Sequence, residues 1–453
     1  MLFIGLGAIL FGFLYATAFL PRARIQEHIV QDRQKIVSRG QHPIEKFAGT
    51  QVILDGLSDS FMMSESLTRY PGYTPLKQTI LSPTLTASHD PGTETKLLSK
   101  QVMGQPVPLV NYTRYWHGYL VTLRPALTLF SYSNVVKLNI VVSLLLMLGA
   151  AIAFRKVSGW VGALAFVFSL LLVGYWATVF NFQTSTMFLI SFIGVITAAL
   201  LLKHKEMSRW DYLLFLSLGI GTAFFDFLTI PLLSLCLPAL YLIVAALKKG
   251  IPLRMRRIFL WFVCWGIGYV CFWAIKWIMV AALQGPAALK SIISQVTYRA
   301  GSSGAQGLTG SLRLTGITRN IKWFSYNLVG TGKSLPLLAL VAVVIAGFII
   351  TLVYMLFTKK VALRNKIRSL IVIWAFAVVP FLWYMFALNH SVANALFTYR
   401  LLFVSIFATC LFWIVFFERK KEPSHVISRQ RNDESETVGP SASINATDRL
   451  TAP

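Results

Sequence analysis

Residues 135–154 read VVKLNIVVSLLLMLGAAIAF, twenty positions with a single charge, Lys137, near the start. A run this long and apolar matches a hydrocarbon core of roughly 30 Å, which a helix crosses in about 20 residues. Comparable runs recur, and they place spans near 2–20, 135–154, 160–182, 186–202, 211–228, 231–247, 258–281, 335–357, 369–388 and 400–417. The expected fold is therefore all-α, a polytopic helical membrane protein with about ten transmembrane helices and a large extracytoplasmic first loop containing interfacial helices.

The chain has 453 residues, 56% of them hydrophobic, too apolar for a soluble protein of that size. Its net charge of +25 would suit a nucleic-acid binder, so the placement of the charge decides its meaning. Most of it lies in short loops: Arg155 and Lys156; Lys203, Lys205 and Arg209; Lys248, Lys249, Arg254, Arg256 and Arg257; Lys359, Lys360, Arg364, Lys366 and Arg368; Arg419, Lys420 and Lys421. With ten spans and a cytoplasmic amino terminus, all of these loops fall inside, as the positive-inside rule demands. The basicity then reports topology: a multi-pass cell-membrane protein with both termini cytoplasmic, surrounded by membrane lipids and binding no nucleic acid. Arg22 and Arg24 follow the first span against this trend, but long loops are translocated largely regardless of charge. Cys236, Cys264, Cys271 and Cys410 fall within spans, so neither a disulfide framework nor a zinc site is expected. The first span lacks a basic leading region and reads as a retained anchor.

Six regions follow: 1–20, the first helix; 21–134, an extracytoplasmic loop; 135–283, helices two to seven; 284–334, a cationic extracytoplasmic loop; 335–417, helices eight to ten; and 418–453, a polar, disordered cytoplasmic tail. In the first loop, Ile25–Phe47 reads as a helix on the membrane surface, with Ile25, Ile29, Ile36 and Val37 near one face and Arg33, Lys35 and Arg39 reaching headgroups. An ordinary amphipathic helix of an outer domain is the plainer reading. Asp55 and Asp59 lie four apart, on one helical face, and Glu65 lies about two turns further on. Tyr70–Pro108, rich in Pro, Gly, Thr and Ser, reads as a long surface loop in which His89 and Asp90 are solvated turn residues. Arg114-Tyr115-Trp116-His117 has the composition of a membrane interface: a belt of aromatics with basic anchors, or a site for an anionic headgroup at which His117 donates a proton. Asn111-Tyr112-Thr113 also fits a glycosylation sequon.

Two ionisable residues fall at membrane depth. Asp226 is flanked by Phe224, Phe225 and Phe227, and Lys276 lies inside the seventh span. A charge at the bilayer centre costs roughly 2.5–3.5 kcal/mol, so such residues face a partner or a wet cavity unless they snorkel outward. Loop 284–334 carries Lys290, Arg299, Arg313, Arg319, Lys322 and Lys333 and no acid, which favours a phosphate-bearing ligand or anionic headgroups. Gly301–Gly307 reads as a flexible lid. Gly330-Thr331-Gly332-Lys333-Ser334 imitates the end of a P-loop, but Asn327 replaces its first Gly and no strand precedes it, so ATP binding is rejected. The last outer turn brings Asn389, His390, Asn394, Tyr399 and Arg400 together, more than capping and a snorkelling Arg require.

These clusters all fall on the extracytoplasmic side, where acids that accept protons and cations that grip phosphate suit transfer chemistry on a lipid-phosphate substrate. At this point the chain resembles the GT-C superfamily of integral membrane glycosyltransferases: an anchor span, a large first external loop with an interfacial helix and an acid, a bundle with short loops, and a later external loop able to cover the site. Asp55-Gly-Leu-Ser-Asp59, Arg114-Tyr-Trp-His-Gly118, Asn389-His-Ser391 and Phe397-Thr-Tyr-Arg400 also look like segments of uncharacterised polytopic membrane proteins of Gram-positive bacteria. The resemblance implies a sugar moved from a polyprenyl-phosphate donor to a cell-envelope acceptor on the outer face, in glycan or glycolipid assembly. It implies Asp55 or Asp59 as the base, although Asp55 follows the first span by some 35 residues where the family's acid often comes sooner. It implies Arg114, His117, Arg299, Arg319, His390 and Arg400 as substrate-binding residues, with Asp226 and Lys276 as a further polar site. No cofactor is called for, and no ligand spacing argues for a divalent metal, which stays open. The rival readings are a transporter or flippase for an anionic lipid-linked substrate, which explains Asp226 and Lys276 equally well, and a non-catalytic membrane subunit.

Overall fold

The first helix, α1 (Leu2–Ala16), has no charged residue through Leu20. It packs beside α11 (Trp210–Phe225) and α13 (Met255–Gln284), with Phe3 edge-on to Phe272 at 6.3 Å. The computed structural model describes residues 1–40, 42–47, 50–86, 93–202, 209–301, 312–329, 349, 353 and 361–418. Met1–Phe416 form one unit; of the second, Phe417–Pro453, only Phe417 and Glu418 are described, so the expected tail lies outside the described residues.

Residues 21–131 are folded throughout their described length. The helices α2 (Arg22–Gln31) and α3 (Arg33–Arg39) lead to an antiparallel ribbon of β1 (Ile44–Phe47) and β2 (Thr50–Ile53), registered Ile44 to Ile53. After α4 (Gly56–Leu67) and α5 (Pro75–Leu81) comes a second ribbon, β3 (Pro83–Leu85) with β4 (Leu109–Asn111), enclosing α6 (Thr93–Val102). The helix α7 (Leu120–Leu129) closes the segment.

Two sequence expectations change here. The single surface helix over Ile25–Phe47 is instead two helices, broken at Asp32 and ended by Gly40 at φ +69°. Asp32 is tied down, accepting from the Ser133 backbone N–H at 2.7 Å and pairing with Lys35 at 3.0 Å. Ile25 and Ile29 are fully buried, and α2 packs on α7 and α4, so this apolar face meets protein. Within Tyr70–Pro108, α5 and α6 replace the expected loop. Thr74 caps α5 by accepting from Lys77 N at 3.2 Å, with Pro75 at the first helical position, a start signal that outweighs the turn-rich composition. His89 and Asp90 lie outside the described residues.

The helix α8 (Tyr132–Leu172) covers the second expected span and part of the third, bent at Gly159, whose φ of +69° suits glycine. The third span stops at Leu172 rather than 182. Gly174 turns at φ +74° before the short α9 (Tyr175–Thr178), and Asn181 caps α10 (Phe182–Leu201) by accepting from Thr184 N at 3.0 Å. Beyond α11 lie α12 (Leu233–Lys248) and α13. Loop 284–334 is helical where described, with α14 (Pro286–Ala300) and α15 (Leu312–Val329). The lid region 302–307, Lys333 with the P-loop imitation, Lys203 with Lys205, and most of the span at 335–357 lie outside the described residues, as does the side chain of Arg313. Then follow α16 (Val361–Phe386), α17 (Leu388–Ala393), α18 (Ala395–Thr398) and α19 (Leu402–Phe417).

Among the described residues six helical segments are long and apolar enough to cross a membrane: Leu2–Phe19, Tyr132–Leu172, Phe182–Leu201, Met255–Gln284, Ser369–Phe386 and Ala395–Phe417. Trp210–Phe225 and Leu233–Lys248 are apolar but shorter. The architecture is all-α apart from the two ribbons and fits a multi-pass membrane protein.

Candidate functional site

The charged residues singled out from sequence separate into three groups. In the first, Asp55 caps α4: its Oδ1 accepts from Ser58 N at 3.1 Å and its Oδ2 from Ser58 Oγ at 2.6 Å. Asp59, one turn on, accepts from Phe182 N at 3.2 Å and so docks α4 onto the start of α10. Arg400 is buried rather than snorkelling, donating to Leu396 O at 3.0 Å and Ile53 O at 3.3 Å. Burial raises the Asp55 carboxyl above its usual range, against the opposing pull of Ser58, His42 and Arg400. Asp59 is pushed up to about 8, by burial first and then by the Asp55 charge. The cavity beside Asp59 holds about 20 Å³. That is room for about one water, which needs roughly 10–15 Å³.

Protonated at neutral pH in so small a space, Asp59 acts here as a docking group. Because its folded pKa lies above the unfolded one, the native state holds the proton longer, and this group's contribution to stability falls as pH rises from about 4 to about 8. Asp59→Asn, whose Oδ1 still accepts from Phe182, should therefore match the parent in thermal unfolding at pH 5 and exceed it at pH 8.5. A gap that does not change with pH would rule out the raised pKa.

The second group surrounds Glu65. Gly118 lies against α11, donating its N–H to Phe224 O at 2.9 Å; a Cβ on Gly118 would stand 2.6 Å from that oxygen. This approach holds the preceding His117 at φ +58°, an uncommon conformation for a side-chain-bearing residue. The ring is thereby turned inward. His117 Nδ1 lies 3.0 Å from Glu65 Oε2, and Nε2 lies 2.7 Å from the Tyr112 carbonyl oxygen. Tyr119 Oη donates to the same Glu65 oxygen. Since a carbonyl only accepts, Nε2 carries a proton, and Nδ1 also lies 3.2 Å from Tyr119 Oη. Around this pair, Arg124 donates to the Glu65 backbone oxygen at 2.9 Å, and Lys276, fully buried, donates to Ile80 O at 2.6 Å instead of reaching outward.

The third group is organised by the turn between α11 and α12. The helix ends at Phe225, so Asp226 stands outside it. Asp226 Oδ1 accepts from Thr229 N at 2.9 Å and from Thr229 Oγ1, while Oδ2 has no partner. Phe227 enters the ring cluster of Tyr112, Tyr115, His117 and Tyr119, with centroids 5.1–6.1 Å away. Leu228, at φ +66°, lies beside His390. His390 Nδ1 accepts from Arg299 Nη1 at 2.8 Å and from Asn394 Nδ2 at 3.0 Å. Burial, then the Arg299 charge, lower His390 to about 3. The ring is therefore neutral with its proton on Nε2, and a backbone hydrogen bond to Leu228 pulls the other way. Tyr269 Oη, Trp273 Nε1 and Arg299 Nε are also buried without partners, with Tyr269 within electrostatic reach of Asp226 and its ring 5.2 Å from Trp273.

No protein-family model, curated protein or solved structure matches this chain. The function is therefore argued from the site alone. Unpartnered buried polar atoms are uncommon in native folds and ask for an explanation. Among them are one Asp226 carboxylate oxygen, which can take a proton, and the Arg299 Nε–H, which can hold an anion. Burial raises Asp226 to about 6, with the amide and hydroxyl donors of its own turn pulling the other way. It is thus largely ionised at pH 7 yet basic enough to accept a proton, the range suited to a general base.

Of the residues named from sequence, Arg299 and His390 are brought together, and the turn that begins at Asp226 meets them through Leu228. Arg114 lies nearby, donating to Gln295 Oε1 at 3.1 Å and within electrostatic reach of Tyr112, as is Arg299. His117 and Lys276 belong to the Glu65 group, and Asp55, Asp59 and Arg400 to the first. Arg319 is exposed on α15. Tyr269, Trp273 and the Glu65 pairing were not singled out in the sequence, where they read as ordinary aromatics of a span and one more acid of α4. No group of three His, Cys, Asp or Glu arranged to hold a metal occurs among the described residues.

Proposed function

We propose that the protein is a GT-C-like, ten-span membrane glycosyltransferase that moves a sugar from a polyprenyl-phosphate donor to an acceptor hydroxyl on the extracytoplasmic face. The observation that carries this reading is the 226–230 turn itself, which holds the buried Asp226 carboxylate by one oxygen and, through the backbone of Leu228, meets the His390–Arg299 pair. In the proposed reaction the acceptor oxygen attacks the anomeric carbon, its proton passes to Asp226 Oδ2, and the bond from the anomeric carbon to the phosphate oxygen breaks. Polyprenyl phosphate leaves with the electron pair, its charge held by Arg299. The displacement inverts the anomeric centre and needs no covalent intermediate. Asp226 takes the role first assigned to Asp55 or Asp59, because those carboxyls are engaged in capping and docking and Asp59 is mostly protonated at pH 7. The Glu65–His117–Tyr119 set lies behind the Phe227 ring and positions the turn.

The test is purified protein in lipid, given a radiolabelled pool of polyprenyl-phosphate sugars and a membrane acceptor extract. Donor consumption with label appearing in the acceptor is the expected result. Label moved across the bilayer without chemical change would replace this reading with the transporter. Binding with neither event would leave a non-catalytic subunit.

A further inference from the structure

Between the β3–β4 ribbon and α14 lies a cleft of about 480 Å³, within the roughly 300–1,000 Å³ range of ligand sites. One wall carries Phe61, Tyr112 and Arg114; the other is the α14 face with Ser291 and Gln295, and Asn111 and Gln284 also contribute amides. No Asp or Glu lines it. The mixture is informative. Asn111 is bonded to Tyr73 and Gln295 Oε1 accepts from Arg114, but an acyl chain would leave the Ser291 hydroxyl and the Gln284 amide unpaired, at a cost for each. A cation would find Arg114 and no acid. A pyranose ring offers what the walls need, hydroxyls that both donate and accept, opposite side-chain amides that do the same, and an apolar C–H face for the Phe61 and Tyr112 rings. The Arg114 guanidinium, half-buried and stacked 5.3 Å over Tyr112, is the only charge in the lining. It favours a carboxylate-bearing sugar over a neutral one.

We infer that this cleft binds a saccharide chain and that Arg114 selects an acidic one. Tyr112 joins it to the site above: the same ring lines the cleft, packs on Phe227 at 6.1 Å and lies within reach of Arg299. A saccharide seated there extends toward the Asp226 turn. As the seat of the acceptor, the cleft rests on the transferase reading; as a saccharide site, it does not.

The experiment is titration of the full chain in nanodiscs with tetragalacturonate and with maltotetraose in low salt, with no donor present. Tetragalacturonate should bind at least fivefold tighter than maltotetraose. Ser291→Trp, which fills the cleft from an exposed position of α14, should weaken it at least tenfold, and Arg114→Gln should remove the preference between the two probes. Gln105→Trp, in the separate cleft beside Arg69 and Pro71, is the control and should change neither. Absence of binding by both probes, or equal loss in the Ser291 and Gln105 variants, overturns the inference. Equal affinity of the parent for both probes overturns the selection by Arg114. Because no turnover is read, loss of binding with donor consumption intact defeats only the cleft, and binding with no consumption defeats only the transferase.

Discussion

Asp226→Asn is expected to lower donor consumption by roughly 10²–10⁴-fold, the usual contribution of a positioned general base. The amide keeps an oxygen to accept from Thr229 N and Oγ1, so the turn retains its anchor while the group at the Oδ2 position can no longer accept a proton. Affinity for the donor should therefore change little, and the loss should appear in kcat. The parent's rate should rise with pH through about 6, as the carboxyl ionises, and that limb should be missing from the residual activity of the variant. The sign follows from burial: a raised pKa keeps the base protonated and idle in acid, so the rising limb lies above the usual carboxylate range. Asp59→Asn and Asp55→Asn, measured in parallel, should retain most of the activity. Full activity in Asp226→Asn with loss in either of the others would return the base to the start of α4.

The chain's general build was legible because bilayer thickness imposes a length that sequence records directly, and the apolar runs at 2–20, 186–202, 258–281 and 400–417 carry α1, α10, α13 and α19. What sequence misjudged were places where one neighbour outweighs composition. Asp32, bonded to Ser133, breaks a helix whose apolar spacing ran on to Phe47. Asp55 and Asp59 share a helical side as their spacing required, but that spacing carries no information about the Phe182 amide that occupies Asp59. Arg299 and His390 stand 91 positions apart and were noticed as unusual charges in separate loops; only the packing of α14 on α17 makes them one donor pair. Asp226 was legible as an anomaly among three phenylalanines, since a buried acid needs a reason whatever the topology. Tyr269 and Trp273 gave no such signal, because aromatic residues in a span are commonplace and their unpartnered polar atoms exist only in three dimensions.

Holding Asp226 within electrostatic reach of Tyr269 depends on how closely α11 approaches α13, and glycine sets that distance. A Cβ on Gly268 would stand 2.4 Å from Leu216 O, and one on Gly219 would stand 2.1 Å from Trp265 O. Small residues at a helix crossing let backbones approach in this way. The contact is also fixed from one end, where Asp211 accepts from Arg257 Nε at 2.7 Å and from Trp261 Nε1 at 2.7 Å. Gly268→Ala should consequently destabilise the protein by roughly 1–3 kcal/mol or more, since the obstructing atoms are backbone and cannot rotate aside. Helix propensity alone predicts the opposite sign, a gain of about 1 kcal/mol for Ala over Gly in a helix interior. Gly266, two positions earlier on the same helix, separates the two effects: a Cβ there meets nothing within 4 Å. Gly266→Ala should raise the unfolding temperature slightly, and Gly268→Ala should lower it and reduce donor consumption as the turn at Asp226 shifts. Similar unfolding temperatures for the two variants would mean that α11 and α13 do not meet through Gly268, and the geometry of the Asp226 turn would lose its support.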